Sequence, residues 1–134
     1  MIPAGFLKAW AGTALFLLAI DALWLGVVAR GFYARQLGDL MLDQPRLGIA
    51  AIFYVMYSAV IVLLASAPAF RSGSLQDALM LGAILGFAAY GTYDITNLST
   101  LKNWPLMMSV VDMVWGTLLT TAAAAVGFWM LRWV

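Results

Sequence analysis

The sequence predicts an all-α membrane protein, a four-helix antiparallel transmembrane bundle. Hydrophobic residues make up 65% of the 134 positions and charged residues only 10%, too few to coat a soluble surface. Four apolar runs occupy most of the chain, each near the roughly 20 residues needed to cross about 30 Å of hydrocarbon. Each of the three breaks between them carries charge together with proline or glycine. The length suits one domain, residues 1–134.

The first span covers residues 5–29. Its apolar run is longer than the hydrophobic region of a signal peptide, and no small-residue cleavage site precedes Arg30, so it reads as a retained membrane helix. A polar connection follows from Arg30 to Arg46, with helical apolar spacing over Phe32 to Leu42 that predicts a short helix lying in the interface. The second span, residues 47–67, is expected to stop near Pro68, where a short Gly/Ser-rich turn makes spans two and three antiparallel neighbours. Asp94 is expected to close the third span, residues 75–94. NLSTLKNWP then breaks the pattern, and Pro105 opens the fourth span, residues 106–131. Trp10, Trp104, Trp129 and Trp133 fall near span ends, as interfacial anchors do.

Orientation is not written in the charges. The side of the first and third connections holds Arg30, Arg35, Arg46 and Lys102, and the other holds Lys8, Arg71, Arg132 and the amino terminus. Four against four leaves the positive-inside bias nothing to act on.

Half of the six acidic residues, all Asp, lie inside spans: Asp21, Asp94 and Asp112. An acid in hydrocarbon costs about 3 kcal/mol on insertion scales and so faces a partner or a cavity. Asp21-x-x-Trp24 in span one returns as Asp112-x-x-Trp115 in span four, and Tyr54-x-x-Tyr57 in span two returns as Tyr90-x-x-Tyr93 in span three. At 1.5 Å rise per residue, all of these lie within roughly 15 Å of the membrane face carrying the first and third connections. Gly82, Gly86, Tyr90, Tyr93 and Asn97 follow helical steps along one stripe, and the two glycines offer close approach to a neighbouring helix. The acids and aromatics are therefore expected to form one ligand-binding cluster: Asp21, Trp24, Tyr54, Tyr57, Tyr90, Tyr93, Asp94, Asn97, Asp112 and Trp115. Lys102 should pair with Asp94 or Asp112, closing the mouth or orienting an anionic ligand group such as a lipid phosphate; the alternative is a lysine snorkelling toward headgroups. The bland alternative is helix-to-helix glue, and it is weighted more heavily for the shallow Asp94 than for Asp21 or Asp112.

Cysteine and histidine are both absent. Disulfides, His-held haem, zinc sites and Cys- or His-based nucleophiles lose their usual groups, so proton chemistry would run through Asp, Tyr, Lys or water. No metal site is assigned and no cofactor is indicated; a hard cation on carboxylates is the one metal class left open. The net charge of +1 gives no indication of nucleic acid.

The stretch Tyr93-Asp94-x-Thr96-Asn97 followed by Leu101-Lys102-Asn103-Trp104-Pro105, with DALWLG, FYVMY and VDMVWG in the other spans, resembles an uncharacterised family of small bacterial integral membrane proteins. That family is a domain of unknown function with four predicted transmembrane helices, and the resemblance covers nearly the whole chain. It implies a multi-pass protein of the bacterial inner membrane and brings no activity with it.

Four functions fit these observations. The first is a module binding a small amphipathic, cationic or lipid-like ligand in the acidic, aromatic cluster. The others are a proton-coupled small transporter, a membrane enzyme acting on lipid through Asp21 or Asp112, and an accessory subunit meeting a membrane-protein partner or a second copy. A transporter needs access from both faces, and the one-sided polar distribution counts against it.

Overall fold

The computed structural model describes residues 2–133, which form helices and turns with no strand among them. Four helices are long and apolar enough to cross a membrane: α1 (Phe6–Val28), α3 (Leu47–Ser72), α4 (Leu75–Thr100) and α5 (Leu106–Arg132). The short helix α2 (Arg30–Leu37) lies between α1 and α3. Short connections force antiparallel neighbours. Lys8 Nζ donates to the Trp133 carbonyl at 3.1 Å, so the start of α1 meets the end of α5 on one side.

Three boundaries differ from the sequence expectation, each for a local reason. The second span runs past Pro68 to Ser72. A π-turn over Val62–Ser66 resets the register, and Pro68 then falls in the first turn of the resumed α-helix, where a missing N–H costs little. The third span continues to Thr100 rather than ending at Asp94. Its hydroxyls supply their own partners: Thr92, Ser99 and Thr100 donate to carbonyls one turn back at 2.6, 2.6 and 2.8 Å, and Thr96 does the same. The interfacial helix is shorter than Phe32 to Leu42, because Gly38 at φ 53° ends it and a 3-10 turn, Gly38–Leu40, follows.

Helix α5 is the hub. It buries Met108, Ser109, Gly116, Leu119, Thr120, Ala123, Ala124, Gly127, Phe128 and Leu131, against four residues each on α1 and α4. Small residues make this close packing attainable in lipid, where no hydrophobic drive brings helices together. A Cβ at Gly86 would stand 2.7 Å from Thr120 Cβ and 2.8 Å from the Gly116 carbonyl, and one at Gly82 would stand 2.8 Å from Ala124 Cβ. On α1 the buried face is Ala9, Thr13, Leu17 and Asp21, one residue every four, so the acid lies on the same stripe as the core. The central core joins Leu17 to Tyr57, Ile61 and Ala65 of α3 and to Leu119, Ala123 and Ala124 of α5.

Replacing Gly86 by Ala should destabilise the bundle by about 1–3 kcal/mol, because the contacts it meets include backbone that cannot yield. Gly26→Ala, where nothing lies within 4 Å, should be neutral. Reversible unfolding in mixed micelles measures both; equal effects would mean that the α4–α5 contact is loose.

Candidate functional site

Each D-x-x-W motif serves the other. Trp115 Nε1 on α5 donates to Asp21 Oδ1 on α1 at 2.9 Å, and Tyr54 on α3 donates to Asp21 Oδ2. In return Trp24 Nε1 on α1 donates to Tyr33 Oη at 3.2 Å, and the Tyr33 hydroxyl donates to Asp112 Oδ1 on α5 at 2.8 Å. The two indoles lie between these exchanges, stacked with centroids 4.2 Å apart and planes 8° from parallel. Sequence spacing places each acid one turn from its own tryptophan. Antiparallel packing of α1 on α5 then crosses the pairs.

The local fold of α1 makes the crossing reachable. Its last turn, Trp24–Val28, is a π-turn closed by the Ala29 amide on the Trp24 carbonyl at 2.7 Å. Such insertions reorient side chains and recur at functional sites. Here the turn ends the helix, and α2 starts at once and folds back over the cluster. Tyr33 is buried in an apolar seam with Ala29 and Met108, flanked by Trp24, Phe32, Leu37 and Trp104. Burial pushes the Tyr33 phenol well above the ordinary tyrosine range; the Trp24 hydrogen bond opposes this, and the charge of Asp112 adds to it. Tyr33 therefore stays a proton donor to Asp112 across the physiological range.

Asp94 is fully buried on α4, and among the described residues no N–H or hydroxyl group donates to either carboxyl oxygen. Its carboxyl group lies within hydrogen-bond reach of that of Asp112, so the two form a pair that can share one proton, and Asp112 in turn lies within electrostatic reach of Asp21. The three acids are thus satisfied unequally. Asp21 has two donors, Asp112 has one and Asp94 has none.

The tyrosines separate. Tyr57 is buried and shares a hydrogen bond of 2.7 Å with Thr120 Oγ1. Tyr90 packs its ring on Gly116, faces Tyr57 at 6.4 Å, and lies in the field of Asp21 and Asp112. Tyr93 does not join them. The buried stripe of α4 steps by four from Ala78 through Gly82 and Gly86 to Asp94, which leaves Tyr93 54% exposed on the outer surface, edge-on to Trp104 at 5.7 Å. Asn97 is half-buried one turn above Tyr93.

Lys102 also departs from expectation. It stands exposed and lines a groove of about 280 Å³ with Arg35, Asp39 and Asn103, while Asp94 has no N–H or hydroxyl donor and Asp112 is held by Tyr33. With Asp94 well inside α4, the lysine lies two turns beyond it and outside the helix. Trp24 and Trp115 do not offer an open wall either, since their facing surfaces close on each other. The tryptophans expected as interfacial anchors divide: Trp129 and Trp133 are exposed, whereas Trp10 donates to the Val55 carbonyl at 2.8 Å and Trp104 to Ser109 Oγ at 2.9 Å.

Tyr33 is the site residue that spacing alone does not reveal, because it falls in a connection. Its signal is a position four residues before Leu37 on the short amphipathic helix, which turns both toward the bundle.

Residues 6–129 match the family described as "Predicted membrane protein (DUF2177)". The chain belongs to this family. It is a membrane protein family of unknown function, in keeping with the four spans. Neither a curated protein nor a solved structure matches the chain.

Tyr33→Phe should strip Asp112 of its donor and Trp24 of its acceptor while keeping the ring. A hydrogen bond to a charged group contributes about 1.5–3 kcal/mol, so amide exchange across residues 30–37 should accelerate by about tenfold or more. In the intact protein that protection should hold up to about pH 10, the ordinary tyrosine value, and decline as pH rises further, because the unfolded segment loses the phenolic proton first. Unchanged exchange in the variant would mean that α2 is held by apolar contacts alone.

Proposed function

We propose that this protein binds a small amphipathic molecule with a cationic head, such as a long-chain amine or an aminated lipid, at the Asp94–Asp112 carboxyl pair in a bacterial inner membrane. The single observation that carries this reading is the buried Asp94 carboxyl group with no protein donor, beside a second acid that has only one. Leaving a buried acceptor unmade costs about 1–3 kcal/mol per group. A ligand ammonium brings three donors and a compensating charge to the same point.

Helix α2 is the natural cover. Two hydrogen bonds through the Tyr33 hydroxyl, one to Asp112 and one from Trp24, and a thin apolar seam hold it over the cluster, with Ala29 at one end and Gly38 at the other. Lifting it would expose Asp112, then Asp94, and free the outer faces of Trp24 and Trp115 for cation–π contact. The ligand's tail would stay in the bilayer. Polar groups gathered toward one face support binding from that face over transport through both.

The test is equilibrium binding of dodecylamine to the full-length protein in phosphatidylcholine nanodiscs, read by tryptophan fluorescence. Saturable binding should be weakened about tenfold or more by Asp94→Asn, a loss of at least 1.4 kcal/mol. Dodecyl sulfate should not compete. Binding that is equal in the variant, or equal for amine and sulfate, would refute the reading.

A further inference from the structure

The groove beside Lys102 belongs to none of the chemistry above, and its wall is built from two separate elements. Arg35, Gln36, Leu37, Gly38, Asp39 and Leu40 come from α2 and its following turn, and Lys102 and Asn103 from the connection between α4 and α5. We propose that it binds a phosphate group, carried by a phospholipid headgroup at the membrane surface.

Two cations face the groove, and neither has a hydrogen-bond or ion-pair partner among the described residues. That is unusual for an arginine, whose planar fork readily finds a carboxylate, and Asp39 on the same rim leaves both cations unpaired. Arg35 is folded back over Gly31: a Cβ there would lie 3.1 Å from its Nη1, so the missing side chain gives the guanidinium its place. Lys102 is set by a sharp turn. Asn103 takes a left-handed conformation at φ 61°, one of few residue types that does so readily, and Trp104 anchors the start of α5 through Ser109.

Size and depth agree with a headgroup. About 280 Å³ lies just below the range of sites that enclose drug-sized ligands, so it suits a phosphate and its substituent rather than a whole lipid. The groove lies just past the ends of two spans, since α2 begins two residues after Val28 and Lys102 follows two residues after Thr100, where a bilayer crossed by these helices would have its headgroups. Basic pockets between membrane helices at this level recognise anionic headgroups through paired Lys and Arg. Asp39 on the rim repels a bare anion and favours a phosphate whose substituent carries hydroxyl or amine donors. The Asp94–Asp112 pair does not line the groove, although α2 borders both, so the groove is complete only with α2 in place.

The experiment is native mass spectrometry of the full-length protein released from nanodiscs of equal phosphatidylcholine and phosphatidylglycerol. Retained phosphatidylglycerol should exceed phosphatidylcholine about tenfold, since two surface cations contribute enough for that ratio. The double variant Arg35→Gln/Lys102→Gln alters exposed residues only and should bring the ratio near parity. Arg30→Gln/Arg46→Gln, the other cations of that face, should keep it. No preference in the parent, a preference surviving the first variant, or an equal loss in the second would each overturn the site. A parallel titration of inorganic phosphate into phosphatidylcholine nanodiscs identifies the source. Phosphate binding that depends on Arg35 and Lys102 assigns the groove to the free anion, and binding of phosphatidylglycerol alone assigns it to lipid.

Discussion

The hydrogen bond from Trp115 to Asp21 is the contact on which the rest depends. An acid at that depth in α1 would be costly against lipid, and its donor can come only from a helix packed closely alongside. The bond therefore holds α1 on α5 in one register. That register stacks Trp24 on Trp115, sends Trp24 toward Tyr33, and folds α2 over Asp112. Glycine contacts between α4 and α5 then carry Asp94 to the same point, since a bulkier residue at Gly86 would push α4 outward.

Within this frame the acids differ in kind. Asp21 receives donors from two other helices, α3 and α5, and acts as a structural junction. Asp112 links the bundle to its surface helix. Asp94 is buried beside a second carboxyl group with no N–H or hydroxyl donor, an arrangement that costs stability. Buried polar groups without donors are rare in proteins and call for an explanation. The proposed amine site rests on that contrast. The phosphate groove rests on its mirror image, cations at the surface without acids.

The four spans, their antiparallel order and the gathering of acids toward one face were legible, because hydropathy and helical rise suffice for them. The role of the Gly82 and Gly86 pair was legible too, since only close packing uses two small residues one turn apart. Pro68 misled because a π-turn is not visible in hydropathy. The hydroxyl-rich NLST reads as a loop, which makes Asp94 look shallow, until its side chains are seen bonding back along the helix. With the helix continued, Asp94 lies deep and without an N–H or hydroxyl donor, whereas Asp21 joins α1 to α3 and α5. Tyr93 was placed inside by a step of three that fits a helix as well as the true step of four through Asp94. Lys102 followed from the same misplaced helix end. Tyr33 was missed because the fold-back of α2 depends on tertiary contacts.

The central claim is that Asp94 is retained for a ligand and not for the fold. Its most direct test is the unfolding free energy of Asp94→Leu, measured in mixed micelles without added amine. The variant should be as stable as the parent or more so, because a carboxyl without an N–H or hydroxyl donor is exchanged for an apolar group of similar shape. A loss of about 3–5 kcal/mol, as expected when a satisfied buried pair is broken, would contradict it.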